Sequence, residues 1–261
     1  MIEVRHLTRA YPVRNPHKRI EEFVSVKDVS LSLQANTAYA LVGESGSGKS
    51  TLAMMIAGVL PPTGGEVLLD GQSIWSMSPK KLQTMRSEIQ LVLQNSQSAL
   101  DPRKRIYDSI AEPLRKLRHL TRQQERNAVV DILHKVQLQE PLLMRFPNEL
   151  SGGQQSRVCI ARAMCLAPRF VIFDESISSL DVTVQKKVLD LLLELRQEYQ
   201  SSFLFITHDI DVALYIADHI FVMKEGQIVE TVSTARSYDD FKHFYSRELI
   251  ESLPPKSPYQ R

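Results

Sequence analysis

The feature that most constrains the fold of this chain is a glycine-rich segment between a predicted strand and a predicted helix. Residues 38–42 form a short apolar run, residues 43–50 read GESGSGKS, and apolar residues then recur at helical spacing up to Val59. The segment fits G-x-x-x-x-G-K-[S/T], in which glycines let backbone N–H groups turn inward around a phosphate at a helix N-terminus. We therefore predict a phosphate-binding loop rather than a turn that carries a surface lysine.

Strands and helices alternate along most of the remaining chain, which is typical of a mostly parallel sheet. Further strands are predicted at residues 2–4, 29–33, 66–69, 89–93, 170–173 and 203–206, and a hairpin at 220–223 and 228–232. Residues 14–22 are polar and basic and predict an exposed loop.

A long helical segment interrupts this alternation between about residues 106 and 149. Thr121 and Gln124 predict a capping box, and Pro113 and Pro141 are expected to break the segment into pieces. We expect one domain over residues 1–254, a helical lobe inserted at about 95–165, and a tail at 255–261.

Composition excludes several classes of protein. The 261 residues are 43% hydrophobic, which is enough for one full-sized core, and the net charge of +2 argues against a nucleic-acid partner. The chain has no apolar run near the ~20 residues of a membrane span, and no signal peptide is expected at its start. Cys159 and Cys165 match no metal spacing, so we interpret them as packing residues.

Two acids close the predicted strand at residues 170–173. A carboxylate at the end of a buried strand suits a Mg²⁺ anchor, so Asp174 is predicted to hold the metal together with the Ser50 hydroxyl. Glu175, one residue further on, is placed to act as a general base toward an attacking water, and Lys49 to reach the β- and γ-phosphates. The alternative is a strand that ends in a solvated acidic turn.

The decisive string is LSGGQ at residues 150–154. With the preceding motifs, it makes the chain resemble the ATP-binding subunits of ABC transporters. The resemblance implies a P-loop NTPase core of the α/β class with a mostly parallel sheet, an antiparallel β lobe and an inserted helical lobe. It also implies ATP hydrolysis with Mg²⁺. A helix cap by Ser151 and Gln154 is compatible with this role.

The resemblance also implies roles for residues along the chain. The nucleotide would bind at Tyr11, Gly43, Glu44, Ser45, Gly46, Ser47, Gly48, Lys49, Ser50, Thr51 and Gln94. The catalytic residues would be Lys49, Glu175 and His208, and the residues that bind Mg²⁺ would be Ser50, Gln94 and Asp174. The residues that complete the site of an opposite subunit would be Ser151, Gly152, Gly153, Gln154 and Asp181. For Tyr11 a packing or surface role stays open.

Some positions depart from the family pattern. Ser176 and Ile177 stand where proline or alanine and then a small or β-branched residue are commoner, and Asn95-Ser96 replaces a usual Asp-Pro. Ser156 replaces a common glutamine. None of these changes removes a group that hydrolysis needs.

Three stretches resemble the second ATPase subunit of the oligopeptide, dipeptide and nickel importers. They are SALDPRK at 98–104 followed by EPL at 112–114, RFPNEL at 145–150, and HFYSRELI at 243–250. The resemblance implies a second ATPase subunit, two membrane-spanning permease subunits, an extracytoplasmic solute-binding protein and a peripheral position on the cytoplasmic face of the inner membrane. The region after Gln94 would receive a coupling helix of the permease, or is a solvated loop.

The cargo stays open between peptides, which the resemblance favours, nickel or another metal chelate, and polyamines. Less favoured alternatives are an exporter subunit, a soluble ATPase of the same family that acts on nucleic acid or the ribosome, and a regulator that binds nucleotide without hydrolysis.

Overall fold

The computed structural model describes residues 1–14, 20–93, 99–176 and 182–252. Ten strands in these residues form two sheets. In chain order they are β1 (Ile2–Arg14), β2 (Ile20–Leu33), β3 (Ala38–Val42), β4 (Gly64–Leu69), β5 (Gln72–Ser73), β6 (Ile89–Val92), β7 (Phe170–Asp174), β8 (Ser202–Thr207), β9 (His219–Lys224) and β10 (Gln227–Ser233).

The larger sheet has the strand order β10-β9-β3-β8-β7-β6, and all its neighbouring pairs except β9 with β10 are parallel. Every residue of β3, β7 and β8 is buried, as expected of central strands that are covered on both faces. The predicted mostly parallel sheet is confirmed, and so is the hairpin formed by β9 and β10.

Eight α-helices lie in the described residues. They are α1 (Lys49–Ile56), α2 (Pro79–Glu88), α3 (Ile106–Leu117), α4 (Arg122–Lys135), α5 (Gly152–Met164), α6 (Val182–Tyr199), α7 (Ile210–Ile216) and α8 (Phe244–Glu251). Among the described residues no helix combines the length and the apolar character that crossing a bilayer requires.

Three of the helices, α3 to α5, follow β6 and precede β7. The limits of a lobe at about 95–165 stay a prediction, and the tail at 255–261 lies outside the described residues.

The capping box at the start of α4 is confirmed. The Thr121 hydroxyl accepts a hydrogen bond from the Gln124 N–H at 3.3 Å, and the Gln124 side-chain oxygen accepts one from the Thr121 N–H at 2.9 Å. The expected break at Pro113 is wrong, because this proline lies inside α3. Burial of Ile110 and Leu114 on either side of it favours the helix despite the missing N–H.

The smaller sheet is antiparallel, with the order β2-β1-β4-β5. Its β1–β2 pairing continues to Arg14 opposite Ile20, so the loop expected at residues 14–22 is wrong for residue 14, which ends β1, and for 20–22, which belong to β2. Backbone pairing does not depend on side-chain polarity, and the Glu21 and Glu22 side chains are exposed. Residues 15–19 lie outside the described residues. The turn between β4 and β5 consists of Asp70 and Gly71, a pair typical of two-residue hairpin turns.

Helix α1 lies between the two sheets. Its Leu52 and Met55 share a buried apolar cluster with Ile2 and Leu7 of β1 and with Leu204 of β8. This packing fixes the start of α1, and with it the glycine-rich segment, against the carboxyl end of β3. The helix ends at Ile56 rather than continuing to Val59.

The early end of α1 has a local cause. Gly58 adopts a left-handed φ of 68°, which terminates the helix, and Val59 beyond it is exposed.

Candidate functional site

The glycine-rich segment connects the buried strand β3 to helix α1 and passes close to other backbone. A Cβ on Gly43 would lie 2.2 Å from the Met223 carbonyl oxygen, and one on Gly48 would lie 2.3 Å from that of Ser25. Gly48 also has a φ of 103°. Only glycine fits at these two positions. Close packing against neighbouring backbone therefore explains why glycine is needed there, in addition to the predicted approach of a phosphate.

Lys49 is the first residue of α1 and is only 5% exposed. Its ammonium group donates to the Gly43 carbonyl at 2.8 Å and to the Glu44 carbonyl at 2.7 Å. Burial lowers the pKa of Lys49, although the carboxylates of Glu175, Asp174 and Glu44 act in the opposite direction. The cation is thus held within its own loop by two neutral carbonyls, which negatively charged phosphate oxygens can replace.

Asp174, the last residue of β7, lies beside the loop. Its carboxylate accepts a hydrogen bond from the Ser50 hydroxyl at 2.9 Å. Asp174 is 6% exposed, and burial raises the pKa of its carboxyl group, although the bond from Ser50 lowers it.

These two oxygen donors fit Mg²⁺, which needs only one or two protein ligands when phosphates and water complete its shell. Within the described part of the chain no cluster of three or more His, Cys, Asp or Glu residues could hold a metal without such help.

Glu175 follows Asp174 and has a left-handed backbone with a φ of 43°. Such a conformation is strained in a residue other than glycine, and it turns the chain sharply at the end of the strand. The Glu175 N–H donates to the Ile206 carbonyl at 3.1 Å, and its carboxylate lies 3.6 Å from Nδ1 of His208. The structure therefore brings Glu175 and His208 together at the ends of β7 and β8.

An open cavity of about 340 Å³ lies over the loop, within the size range of ligand pockets. Its lining consists of Phe23, Ser25, Ser45, Gly46, Gly48, Lys49, Ser50, Thr51 and Glu175. The predicted loop and the predicted base thus face one space, in which the glycine-rich backbone, an ammonium group and a carboxylate meet.

The sequence predicts Tyr11 as the aromatic residue for a nucleotide base, but the aromatic residue that lines the cavity is Phe23. The two residues pair directly across β1 and β2. Phe23 is largely exposed and lines the cavity, whereas Tyr11 is not among the lining residues and has the Arg9 guanidinium 4.7 Å from its ring centroid. The sequence signal for Phe23 is that it is an aromatic residue directly after the polar residues 14–22.

The LSGGQ string begins helix α5. The Ser151 hydroxyl accepts from the Gln154 N–H at 3.3 Å, and the Gln154 side chain accepts from the Ser151 N–H at 2.9 Å, which confirms the capping box. Gly152 is exposed, and a Cβ there would meet no atom within 4 Å. None of the residues 151–154 lines the cavity over the loop. They form a separate, solvent-facing helix N-terminus.

Two predicted site residues, Gln94 and Asp181, lie outside the described residues. Two of the departures from the family pattern contact each other. The Ser156 hydroxyl in α5 donates to the Ser176 carbonyl at 3.0 Å, and both residues are buried. This bond joins the helix that LSGGQ begins to the segment just after Glu175.

Comparisons with known proteins agree with this geometry. A family model described as ABC transporter matches residues 26–178. The glutathione import ATP-binding protein GsiA of Escherichia coli strain K12 is 38% identical over 260 residues, which cover 99% of this chain and 42% of GsiA. GsiA of Shigella flexneri has the same identity and coverage. The chain spans less than half the length of these curated relatives.

Solved structures also resemble the chain. The ATP-binding cassette MJ0796, in a dimeric post-hydrolysis state bound to ADP and Pi, has a TM-score of 0.79 and 28% identity and covers 90% of this chain and 99% of its own. CbiO1 from Clostridium perfringens, part of the ABC transporter complex CbiONQ, has a TM-score of 0.76 and 25% identity and covers 96% and 90%, respectively.

The buried carboxylate gives a prediction about stability. Asp174→Asn is expected to raise the free energy of unfolding of the nucleotide-free protein by about 0.5–2 kcal/mol, because it removes a charge that burial penalises and keeps an acceptor for Ser50. Urea unfolding at pH 7 measures the change. As a control, Asp218→Asn should lower stability, since Asp218 accepts from Arg196 at 2.6 Å and from the Ala38 N–H at 2.8 Å. Equal losses in both variants would contradict the prediction.

Proposed function

The chain belongs to the ABC transporter family, and we propose that it is the ATP-hydrolysing subunit of an importer, with peptides as the cargo. One observation carries the proposal. The glycine-rich loop, Lys49 and Glu175 line one cavity, with the Ser50–Asp174 pair and His208 beside it. The GsiA relatives are named for the import of glutathione, itself a small peptide, which favours peptide cargo.

In the proposed reaction the ATP phosphates lie over the backbone N–H groups at the start of α1. Lys49 exchanges its bonds to the Gly43 and Glu44 carbonyls for bonds to the β- and γ-phosphates. Ser50 and Asp174 would hold Mg²⁺, with Gln94 as a further ligand. When bound, this ion neutralises charge on the phosphate oxygens. Tyr11 and Phe23 stack near the base.

Glu175 acts as the general base that orients and polarises the attacking water. His208, 3.6 Å from the Glu175 carboxylate, contacts the γ-phosphate with its other ring nitrogen. Most of the rate enhancement in phosphoryl transfer comes from positioning and from electrostatic stabilisation, so the sharp turn at Glu175 and the buried Lys49 are central to the proposal.

The LSGGQ residues act in the site of a second ATPase subunit. Ser151, Gly152, Gly153 and Gln154 begin a 13-residue helix, whose N-terminus attracts an anion, and they lie away from their own chain's cavity. Asp181 lies near the same interface in this proposal. Each ATP is thus held between the loop of one subunit and the α5 N-terminus of the other.

The proposed assembly is that of a membrane importer. A second ATPase subunit, identical or closely related, and two permease subunits would position the chain at the cytoplasmic face of the inner membrane. A solute-binding protein on the other side would deliver the cargo.

The general base can be tested alone. Glu175→Gln is expected to lower the ATP hydrolysis rate at least about 100-fold and to leave the dissociation constant for ATP nearly unchanged, because the side chain meets the water and not the bound phosphates. Phosphate release and calorimetry measure the two quantities. Glu194→Gln makes the same chemical change on the exposed face of α6 and should have no effect. Parent-like hydrolysis by Glu175→Gln would remove Glu175 from this role.

The shared site predicts complementation between two inactive variants. Lys49→Ala disables the loop, and Gly152→Asp places a negative charge where the partner's γ-phosphate would lie. Space around Gly152 is open and Asp suits a helix N-terminus, so this variant should fold. A mixture of the two should regain ATP hydrolysis, because one of the two sites then has both halves intact. Gly152→Ala is the control for size. If a mixture stays inactive while parent chains hydrolyse ATP, the site is not shared.

The importer assignment predicts a particular set of partners. A tagged Glu175→Gln chain should retain ATP and stabilise the assembled state, so we expect purification from native membranes with ATP and Mg²⁺ to recover two permease subunits and a solute-binding protein. Mass spectrometry identifies them, and Lys49→Ala serves as the unloaded control. Recovery of ribosomal or DNA-bound material without a permease would contradict the assignment.

A further inference from the structure

Helix α8 contacts the glycine-rich loop through Tyr245, which does not line the cavity. Its Tyr245 is 2% exposed, and the phenol oxygen accepts a hydrogen bond from the Glu44 N–H at 3.3 Å. The Lys224 ammonium lies 4.4 Å from the centre of the Tyr245 ring. Burial raises the pKa of the phenol, so the hydroxyl is neutral at physiological pH.

The bonded residue, Glu44, is the second residue of the loop. Its N–H is held by Tyr245, and its carbonyl accepts from the Lys49 ammonium at 2.7 Å. The cavity lining includes Ser45 but neither Glu44 nor Tyr245. Tyr245 therefore acts on the backbone where the loop leaves β3, and it does so without occupying the space for a ligand.

The position of Tyr245 is itself fixed by β10. The Glu230 carboxylate accepts from the N–H groups of Lys242 at 2.6 Å and His243 at 3.0 Å, and also from the Ser246 hydroxyl. Three donors at the start of α8 thus converge on one strand residue. Because the helix is held on both sides of Tyr245, the phenol has little freedom to follow a moving loop.

The turn of the same hairpin makes a second contact with the loop. The Gly226 N–H donates to the Ser47 carbonyl at 2.9 Å. Tyr245 and Gly226 together hold the loop at its second and fifth residues, Glu44 and Ser47. The β9–β10 hairpin and α8 therefore both hold the backbone of the glycine-rich loop, through these two hydrogen bonds.

We propose that Tyr245 is a positioning residue for nucleotide binding: its hydroxyl fixes the Glu44 peptide so that the loop is ordered before ATP arrives. This inference rests on the proposed function, because it assigns Tyr245 to the same site. Bound phosphates order the loop themselves, so the benefit of Tyr245 lies in the free protein, where it reduces the entropy lost on binding. Its loss should weaken binding and leave the hydrolysis step almost unchanged.

The test is Tyr245→Phe, which keeps the ring and removes one acceptor. By the usual net strength of a hydrogen bond, we expect the dissociation constant for ADP and the KM for ATP each to rise about fivefold, with kcat within about twofold of the parent. Calorimetry with Mg-ADP and phosphate release measure these values on the full chain, together with its thermal unfolding midpoint.

Tyr39→Phe is the matched control. Tyr39 is also buried, and its phenol oxygen also accepts a backbone N–H, that of Gln34 at 2.8 Å, but at the start of β3. A general loss of packing would lower the unfolding midpoint in both variants, and the two variants would then bind ADP with the same affinity. Parent-like ADP affinity in Tyr245→Phe, or an equal change in Tyr39→Phe, would overturn the inference.

Lys49→Ala separates this outcome from a failure of the proposed function. If the parent binds ADP and Lys49→Ala does not, the nucleotide site stands and Tyr245→Phe tests the positioning role alone. If Lys49→Ala binds ADP as the parent does, the proposed nucleotide site fails, and the inference about Tyr245 fails with it.

Discussion

The parallel register of three buried strands determines where the glycine-rich loop, the two acids and His208 lie relative to one another. Val42 of β3 pairs with Thr207 of β8, and Asp174 of β7 pairs with Ile206. The next residue of each strand therefore emerges at the same edge of the sheet, where the glycine-rich loop, Glu175 and His208 meet. A shift of one residue in either pairing would separate the two acids from the loop, even though the same residues stayed buried. Ligand sites in open α/β sheets form at this edge, and here the register and the packing of α1 together account for its position.

The site is built from groups that the fold would be more stable without. Lys49 and Asp174 are charged and buried, and Glu175 has a left-handed backbone. The surrounding structure maintains them, because α1 is packed between two sheets and the loop touches the backbones of Ser25 and Met223. A ligand with phosphates and a cation supplies charged partners in place of the neutral ones that these side chains now bond, two carbonyls for Lys49 and a hydroxyl for Asp174. The strain therefore fits a site that is completed by binding.

Much of this fold could be predicted because its signals are local. The glycine-rich loop and both capping boxes are encoded within eight or fewer consecutive residues, and the alternation of strands and helices predicts the mostly parallel sheet. Errors arose where tertiary packing overrides a local preference, as at Pro113, or where a polar stretch pairs as a strand, as at Glu21 and Glu22. Tyr245 could not be predicted from a local signal, since its contact joins distant segments: Glu44 and Tyr245 are 201 residues apart.

The two-residue turn between β9 and β10 looks like a surface hairpin, the kind of place where chains usually tolerate insertions and fused tags. Its Gly226 is buried, has a φ of 86°, donates to Ser47 and accepts from the Lys27 N–H at 2.8 Å. Through these two hydrogen bonds Gly226 connects the glycine-rich loop to β2 of the antiparallel sheet. The length of this turn is consequently as constrained as the spacing within the glycine-rich motif, and an engineer seeking an insertion point in the molecule must look elsewhere.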